Sequence, residues 1–204
     1  MRKAAFIFLA GIFLTTTAEA SDWLLTGNWQ HLETRNNQAD DTYGVMARLE
    51  RPVWNDFSLG VELDYHARQK FPSTDDPKGS FGSLFGYGAL AEVIFRPEVH
   101  PKISPYAYLG AGGFWWDFKE NPFLQDNFVT VDVDPSIAFK VGAGVDWWVS
   151  ERWAINFDVS YFDTKIDKRA IDRNGVTWNV VGADNELGNE QIQFGVGVKY
   201  RLKF

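Results

Sequence analysis

At 204 residues the chain has room for one domain, and a formal charge of −7 excludes the basic surface that a nucleic-acid partner demands. There is no cysteine, which excludes a disulfide framework, thiol catalysis and a cysteine-anchored lipid tail. Aromatic residues reach 16% with nine Trp, mean hydropathy is −0.25, and no segment after the first 20 residues is long and apolar enough for a spanning helix. A membrane protein of this composition has to cross with strands, because only helices and closed barrels satisfy their backbone in lipid.

The start of the chain reads as an export signal. Arg2 and Lys3 precede the apolar run Ala4 to Leu14, and Ala18-Glu19-Ala20 supplies a small-x-small cleavage site. The run is short of the roughly 20 apolar residues a spanning helix takes. The expected organisation is a cleaved segment over 1–20 and one domain over 21–204. Cleavage removes Arg2, Lys3 and Glu19, a net +1, so the charge becomes −7 − 1 = −8.

From there the chain alternates with a period of two, as strands do. Asp22 to Leu32 is the first candidate; Asn28 and Gln30 favour turning its even positions inward. Glu33 to Asp41 is a polar loop. Over Thr42 to Arg51, Tyr43, Val45, Ala47 and Leu49 oppose Gly44, Met46, Arg48 and Glu50. Pro52 to Asp56 is a short turn. Phe57 to Arg68 has the clearest alternation: Phe57, Leu59, Val61, Leu63, Tyr65 and Ala67 against Ser58, Gly60, Glu62, Asp64, His66 and Arg68.

After a loop over Gln69 to Ser80, Phe81 to Arg96 carries Glu92 and Arg96 on its polar parity. A Pro-bracketed turn follows, then Tyr106 to Phe118, whose Gly110, Gly112 and Gly113 blur the faces and leave them unassigned. Phe128 to Val149 keeps one alternation, with a bulge expected at Pro135. Ser150-Glu151-Arg152 is a tight turn into Trp153 to Asp167. Asn174-Gly175 predicts a protruding hairpin. The last stretch, Gln191 to Phe204, places Ile192, Phe194, Val196, Val198, Tyr200, Leu202 and Phe204 on one face, and Gln191, Gln193, Gly195, Gly197, Lys199, Arg201 and Lys203 on the other.

Eight main strands with alternating short and long connections predict an all-β fold: an eight-stranded antiparallel up-and-down transmembrane barrel with short periplasmic turns and long extracellular loops. A soluble barrel or sandwich has the same periodicity with the facing reversed. In the membrane form the apolar face meets outer-membrane lipid and the polar face fills the interior. The expected interior set is Arg48, Glu50, Glu62, Asp64, His66, Arg68, Glu92, Arg96, Lys140, Asp146, Asp158, Lys199 and Arg201. Eight strands enclose a space that side chains just fill, so an ion-paired interior is expected and an aqueous pore is the alternative. Phe57, Phe95, Tyr106, Trp147, Trp153, Tyr200 and Phe204 fall near periplasmic strand ends, and Tyr43, Tyr65 and Phe85 near the outer ends, as interfacial belts do.

Little here suggests chemistry. The histidines are His31, His66 and His100, and none lies in a His-x-Ser pattern of the kind barrel lipid-A deacylases carry. Asp64 lies near His66 on one face, with Ser58 further back, and a paired interior histidine is the plainer reading than a Ser–His–Asp group. Asp40, Asp41, Asp75, Asp76, Asp132, Asp134, Asp163 and Asp167 fall on the outer side, without the spacing of a metal loop. The expectation is no catalytic residue, no metal and no cofactor.

Two stretches resemble a known family: Phe95 to Gly113 (FRPEVHPKISPYAYLGAGG) and Lys140 to Thr164 (KVGAGVDWWVSERWAINFDVSYFDT). Both are similar to the outer-membrane protein W family and its small-barrel relatives, and the resemblance covers roughly the second half of the chain. It implies a barrel that passes or binds small hydrophobic solutes, with a small apolar ligand as partner. The final aromatic positions, Tyr200 and Phe204, resemble the terminal-strand motif that the barrel assembly machinery reads. The alternative role is a structural or surface-interaction barrel with a sealed polar core, acting through its extracellular loops.

Overall fold

The structure, a computed structural model, describes residues 22–35, 40–71, 82–120, 128–133, 135–172, 177–179 and 186–202. The segment expected to be the export signal, the Asn174-Gly175 turn and Phe204 lie outside them. Among the described residues ten strands form in chain order: β1 (Trp23–Thr34), β2 (Thr42–Trp54), β3 (Phe57–Phe71), β4 (Gly82–Phe95), β5 (Ile103–Glu120), β6 (Phe128–Val133), β7 (Ser136–Trp148), β8 (Trp153–Asp172), β9 (Thr177–Asn179) and β10 (Glu186–Leu202).

Eight of them close a barrel. Each of β1, β2, β3, β4, β5, β7, β8 and β10 pairs antiparallel with the next, and β10 pairs with both β8 and β1. Closure removes the unpaired strand edges that would otherwise expose backbone donors and acceptors to lipid. The connection from β2 to β3 is a tight turn in which Asn55 takes φ 40, a left-handed conformation that Asn tolerates. The remaining strands project from the outer end: β6 and β9 both pair with the upper part of β8. The long alternation over 128–149 is therefore two strands, β6 and β7, parted around Pro135, whose ring supplies no ladder donor. On either side of positions 173–176, β8 and β9 pair antiparallel, with Ile171 opposite Thr177.

The facing follows the alternation. Leu63, Tyr65, Leu109, Phe139, Phe157, Val159, Phe194 and Val198 are all exposed on the outer wall, while Arg48, Glu50, Glu62, Lys140 and Lys199 are buried inside. In β1 the even positions Thr26, Asn28 and Gln30 face inward. The faces of β5, unassigned from sequence, resolve with Tyr106, Tyr108, Phe114 and Trp116 inside.

Two expectations are corrected. His66 pairs with Gly86, but the next pair is Gln69 with Leu84, so β3 carries one residue more than β4. This bulge reverses the parity. Gln69 takes the inward position, 1% exposed, and Arg68 turns out to the surface instead of filling the interior. Beside His66 the interior is aromatic, and a guanidinium without a carboxylate there would be costly. Tyr106, expected in the periplasmic belt, is 3% exposed and points into the barrel.

Candidate functional site: the filled barrel interior

The inward parity of six strands brings ten of the expected residues together: Arg48 and Glu50 from β2, Glu62, Asp64 and His66 from β3, Glu92 from β4, Lys140 and Asp146 from β7, Asp158 from β8, and Lys199 from β10. All are buried. Arg96, just after β4, joins them with its side chain 14% exposed. Arg201 lies at the periplasmic mouth, half-buried, with its guanidinium 4.3 Å from the Trp148 ring and 3.8 Å from Asp22.

The charges form two connected clusters. Near the periplasmic end, Lys199 Nζ donates to Glu50 Oε1 at 2.6 Å and to Asp146 Oδ2 at 2.9 Å. Arg96 donates to the same two acids, at 2.9 Å to Glu50 Oε2 and directly to Asp146. Further out, Arg48 pairs with Glu62 at 2.5 Å and Glu92 at 2.6 Å. Lys140 Nζ donates to Glu62 at 2.6 Å and to Asp64 at 3.1 Å. Each of these four cations is thus shared by at least two acids. Such sharing offsets the several kcal/mol that each ion loses on leaving water.

Polar residues outside the expected interior set link the clusters. The Tyr106 and Tyr108 hydroxyls donate to the two oxygens of Asp158, at 2.8 and 2.9 Å. Asn156 donates to the Tyr106 oxygen at 2.8 Å and to Asp146 at 2.5 Å, and accepts from Asn28 at 2.6 Å. The Arg48 guanidinium stacks 4.0 Å from the Tyr108 ring centroid, a cation–π contact in a desolvated setting. The only sequence hint of this link was Asn28, read as inward-facing; the tyrosines sat in a strand whose two faces are both apolar.

Toward the outer end the filling becomes aromatic. His66 lies 4.8 Å from Phe114, 5.0 Å from Phe162 and 5.8 Å from Trp116, ring centroid to centroid. Its Nε2 sits 3.3 Å from the Gln193 amide. Ser58 is eight residues from His66 on the same strand, about 26 Å at a strand's rise per residue, so the two cannot act on one substrate atom. Among the described residues, no group of His, Asp and Glu has the geometry to hold a metal ion. Tyr200, the described part of the terminal aromatic pair, packs its ring 4.5 Å from Trp153 on the periplasmic side.

A closed antiparallel barrel with an apolar outer wall and a charged, hydrogen-bonded inside is a transmembrane β-barrel. The comparisons give the family: the chain belongs to the outer membrane protein beta-barrel domain family, whose model matches residues 4–200. It is an outer-membrane protein, embedded in that membrane's lipid. No curated protein matches it by sequence. Among solved structures, OprG from Pseudomonas aeruginosa is 13% identical, covering 91% of this chain and 98% of that one with a TM-score of 0.70. The E. coli outer membrane protein W is 14% identical, covering 91% and 100% with a TM-score of 0.56. Ail from Yersinia pestis, in complex with the heparin analogue sucrose octasulfate, is 16% identical, covering 90% and 100% with a TM-score of 0.54. These likenesses are of fold, and they agree with the resemblance to the protein W group read from residues 95–113 and 140–164.

Proposed function

We propose that this protein is a sealed, non-conducting barrel that anchors a surface-interaction platform in the outer membrane. The observation that carries the reading is Arg48. Its side chain is 0% exposed and is held between Glu62 and Glu92 in the middle of the lumen. Moving an apolar solute through that level would mean parting buried paired charges, which costs about 3–5 kcal/mol for each uncompensated ion. Passage of small hydrophobic solutes through the lumen, the other reading, would have to part these charges, which share the level with the inward-facing Leu90 and Tyr108.

The platform would be the part of β8 that rises past the barrel wall with β6 and β9 paired to it, together with the polar loops. Ail, of similar fold, is seen with a polysulfated ligand. The loop acids Asp40, Asp41, Asp75 and Asp76 of the present chain favour a cationic partner instead. Delivery to the membrane would use the terminal aromatic pair Tyr200 and Phe204 as the assembly machinery's recognition element. Single-channel recording in planar bilayers tests the proposal. The expected record is free of unitary currents, and proteoliposomes should take up an apolar fluorophore no faster than protein-free vesicles. Steady channel events or accelerated uptake would overturn it.

A further inference from the structure

The outer wall is not evenly rough. A groove of about 740 Å³ crosses it from β8 to β3, lined almost wholly by apolar atoms. Its floor is the cross-strand pair Ala91–Ala111, two short side chains side by side. Taller residues make its wall: Val93, Leu109 and Val141 stand opposite one another on β4, β5 and β7 in the neighbouring row. Leu59 continues that row on β3 and Tyr161 continues it on β8.

The row is oblique to the membrane. Tyr161 lies eight residues above Trp153 at the foot of β8, whereas Leu59 lies two above Phe57 at the foot of β3. Those six residues amount to a descent of roughly 15 Å at a strand's rise and the usual barrel tilt. That is about half the hydrocarbon thickness of a bilayer. The upper end of the groove is the only polar part of its rim on the outer wall: Asp163, with the Tyr161 hydroxyl bonded to the neighbouring Glu190.

We propose that this groove is a lipid site that takes one acyl chain of an outer-leaflet glycolipid, its sugar hydroxyls or amide N–H groups donating to Asp163. The wall already faces the bilayer, so an acyl chain is the occupant in continuous supply. A chain lying on a flat wall touches protein on one side; a chain laid over Ala91 and Ala111 also touches Leu109 and Phe139, and within lipid such packing is what drives association. The chain descends from the outer interface to mid-bilayer, which suits a lipid of the outer leaflet. An ionised carboxylate only accepts hydrogen bonds, so the headgroup above it has to donate. A bare phosphate against Asp163 would be repelled.

Native mass spectrometry of the barrel extracted in mild detergent tests this. The expected wild-type spectrum retains one glycolipid per barrel. Ala111→Leu fills the floor and should lower retention several-fold, whereas Ala47→Leu, exposed on β2 away from the groove, should leave it unchanged. Equal retention by Ala111→Leu, retention of phosphatidylethanolamine in place of glycolipid, or a lipid-free dimer would each overturn the proposal. A second measurement needs no filled groove. The chain lacks cysteine, so a spin label at Val93→Cys, on the groove's wall and not its floor, can be read in two bilayers. The label should be more immobilised with glycolipid in the outer leaflet than with phospholipid alone, and identical spectra would refute the site.

Discussion

Lys199 Nζ lies 2.6 Å from Glu50 Oε1, although the two residues are 149 apart in sequence. One belongs to β10 and the other to β2, so the pair reaches across β1 and ties the end of the chain to its beginning inside the barrel. Lys199 also serves Asp146 on β7.

Replacing Lys199 with Met should therefore leave Glu50 and Asp146 facing each other with Arg96 as their remaining cation. Removing one partner from a buried pair of this kind costs about 3–5 kcal/mol. The expected outcome is a marked fall in the denaturant midpoint of the refolded barrel, read by the heat-dependent shift of the folded band. Adding Glu50→Gln should restore part of the loss, because the uncompensated charge is then gone. A double variant whose loss equals the sum of the singles would show that the two side chains are not coupled.

This pair also marks where the sequence stops being legible. That Lys199 and Glu50 face inward follows from alternation in two strands. That they meet does not, since it depends on barrel closure and shear. The same holds for Arg48 with Glu92 and for Lys140 with Glu62. Facing was readable wherever one parity was polar, as over 57–66, and unreadable in β5, where Tyr106, Tyr108, Phe114 and Trp116 lie opposite other apolar or small residues. Arg68 was misread because a bulge shifts parity by one residue without any local marker such as Gly or Pro.

The facing of β3 yields its own prediction. Leu63 is 56% exposed on the outer wall, and its neighbours Glu62 and Asp64 are buried inside. Leu63→Arg puts a charge against lipid near mid-bilayer and should cost about 2–4 kcal/mol. Because the chain has no native cysteine, Leu63→Cys and Glu62→Cys can be labelled separately with a lipid-phase reagent. Modification is expected at position 63 and not at position 62; the reverse pattern would contradict the assigned facing.

Arg48 should resist conservative replacement. It uses its fork on Glu62 and Glu92 and its plane on the Tyr108 ring. Lysine offers a point charge with neither the fork nor the plane. Arg48→Lys is expected to lose stability relative to wild type, and Arg48→Ala to lose more and to admit a small ionic leak through the vacated level. Thermal melts and planar-bilayer currents measured on the same preparations check both parts. A melt for Arg48→Lys indistinguishable from wild type would mean that the geometry of the guanidinium is not used.

The tyrosines that link the two ion clusters depend on glycines that carry no charge at all. Tyr108 stands directly across from Gly142, and Tyr106 from Gly144, in the β5–β7 ladder. A Cβ at position 142 would come within 2.5 Å of the Tyr108 ring carbon that bears the hydroxyl. That ring cannot swing aside, because its hydroxyl donates to Asp158 and its face carries Arg48. Gly142→Ala should therefore displace Tyr108 and disturb both contacts, at a cost of about 1–3 kcal/mol, the usual range for overfilling a packed interior. Tyr108→Phe removes the hydroxyl but keeps the ring, so it should lose only the hydrogen bond to a charged acceptor, about 1.5–3 kcal/mol. The two losses share the Asp158 contact, so Gly142→Ala combined with Tyr108→Phe should fall short of additivity. Full additivity in chemical denaturation would show that the glycine acts on some other neighbour.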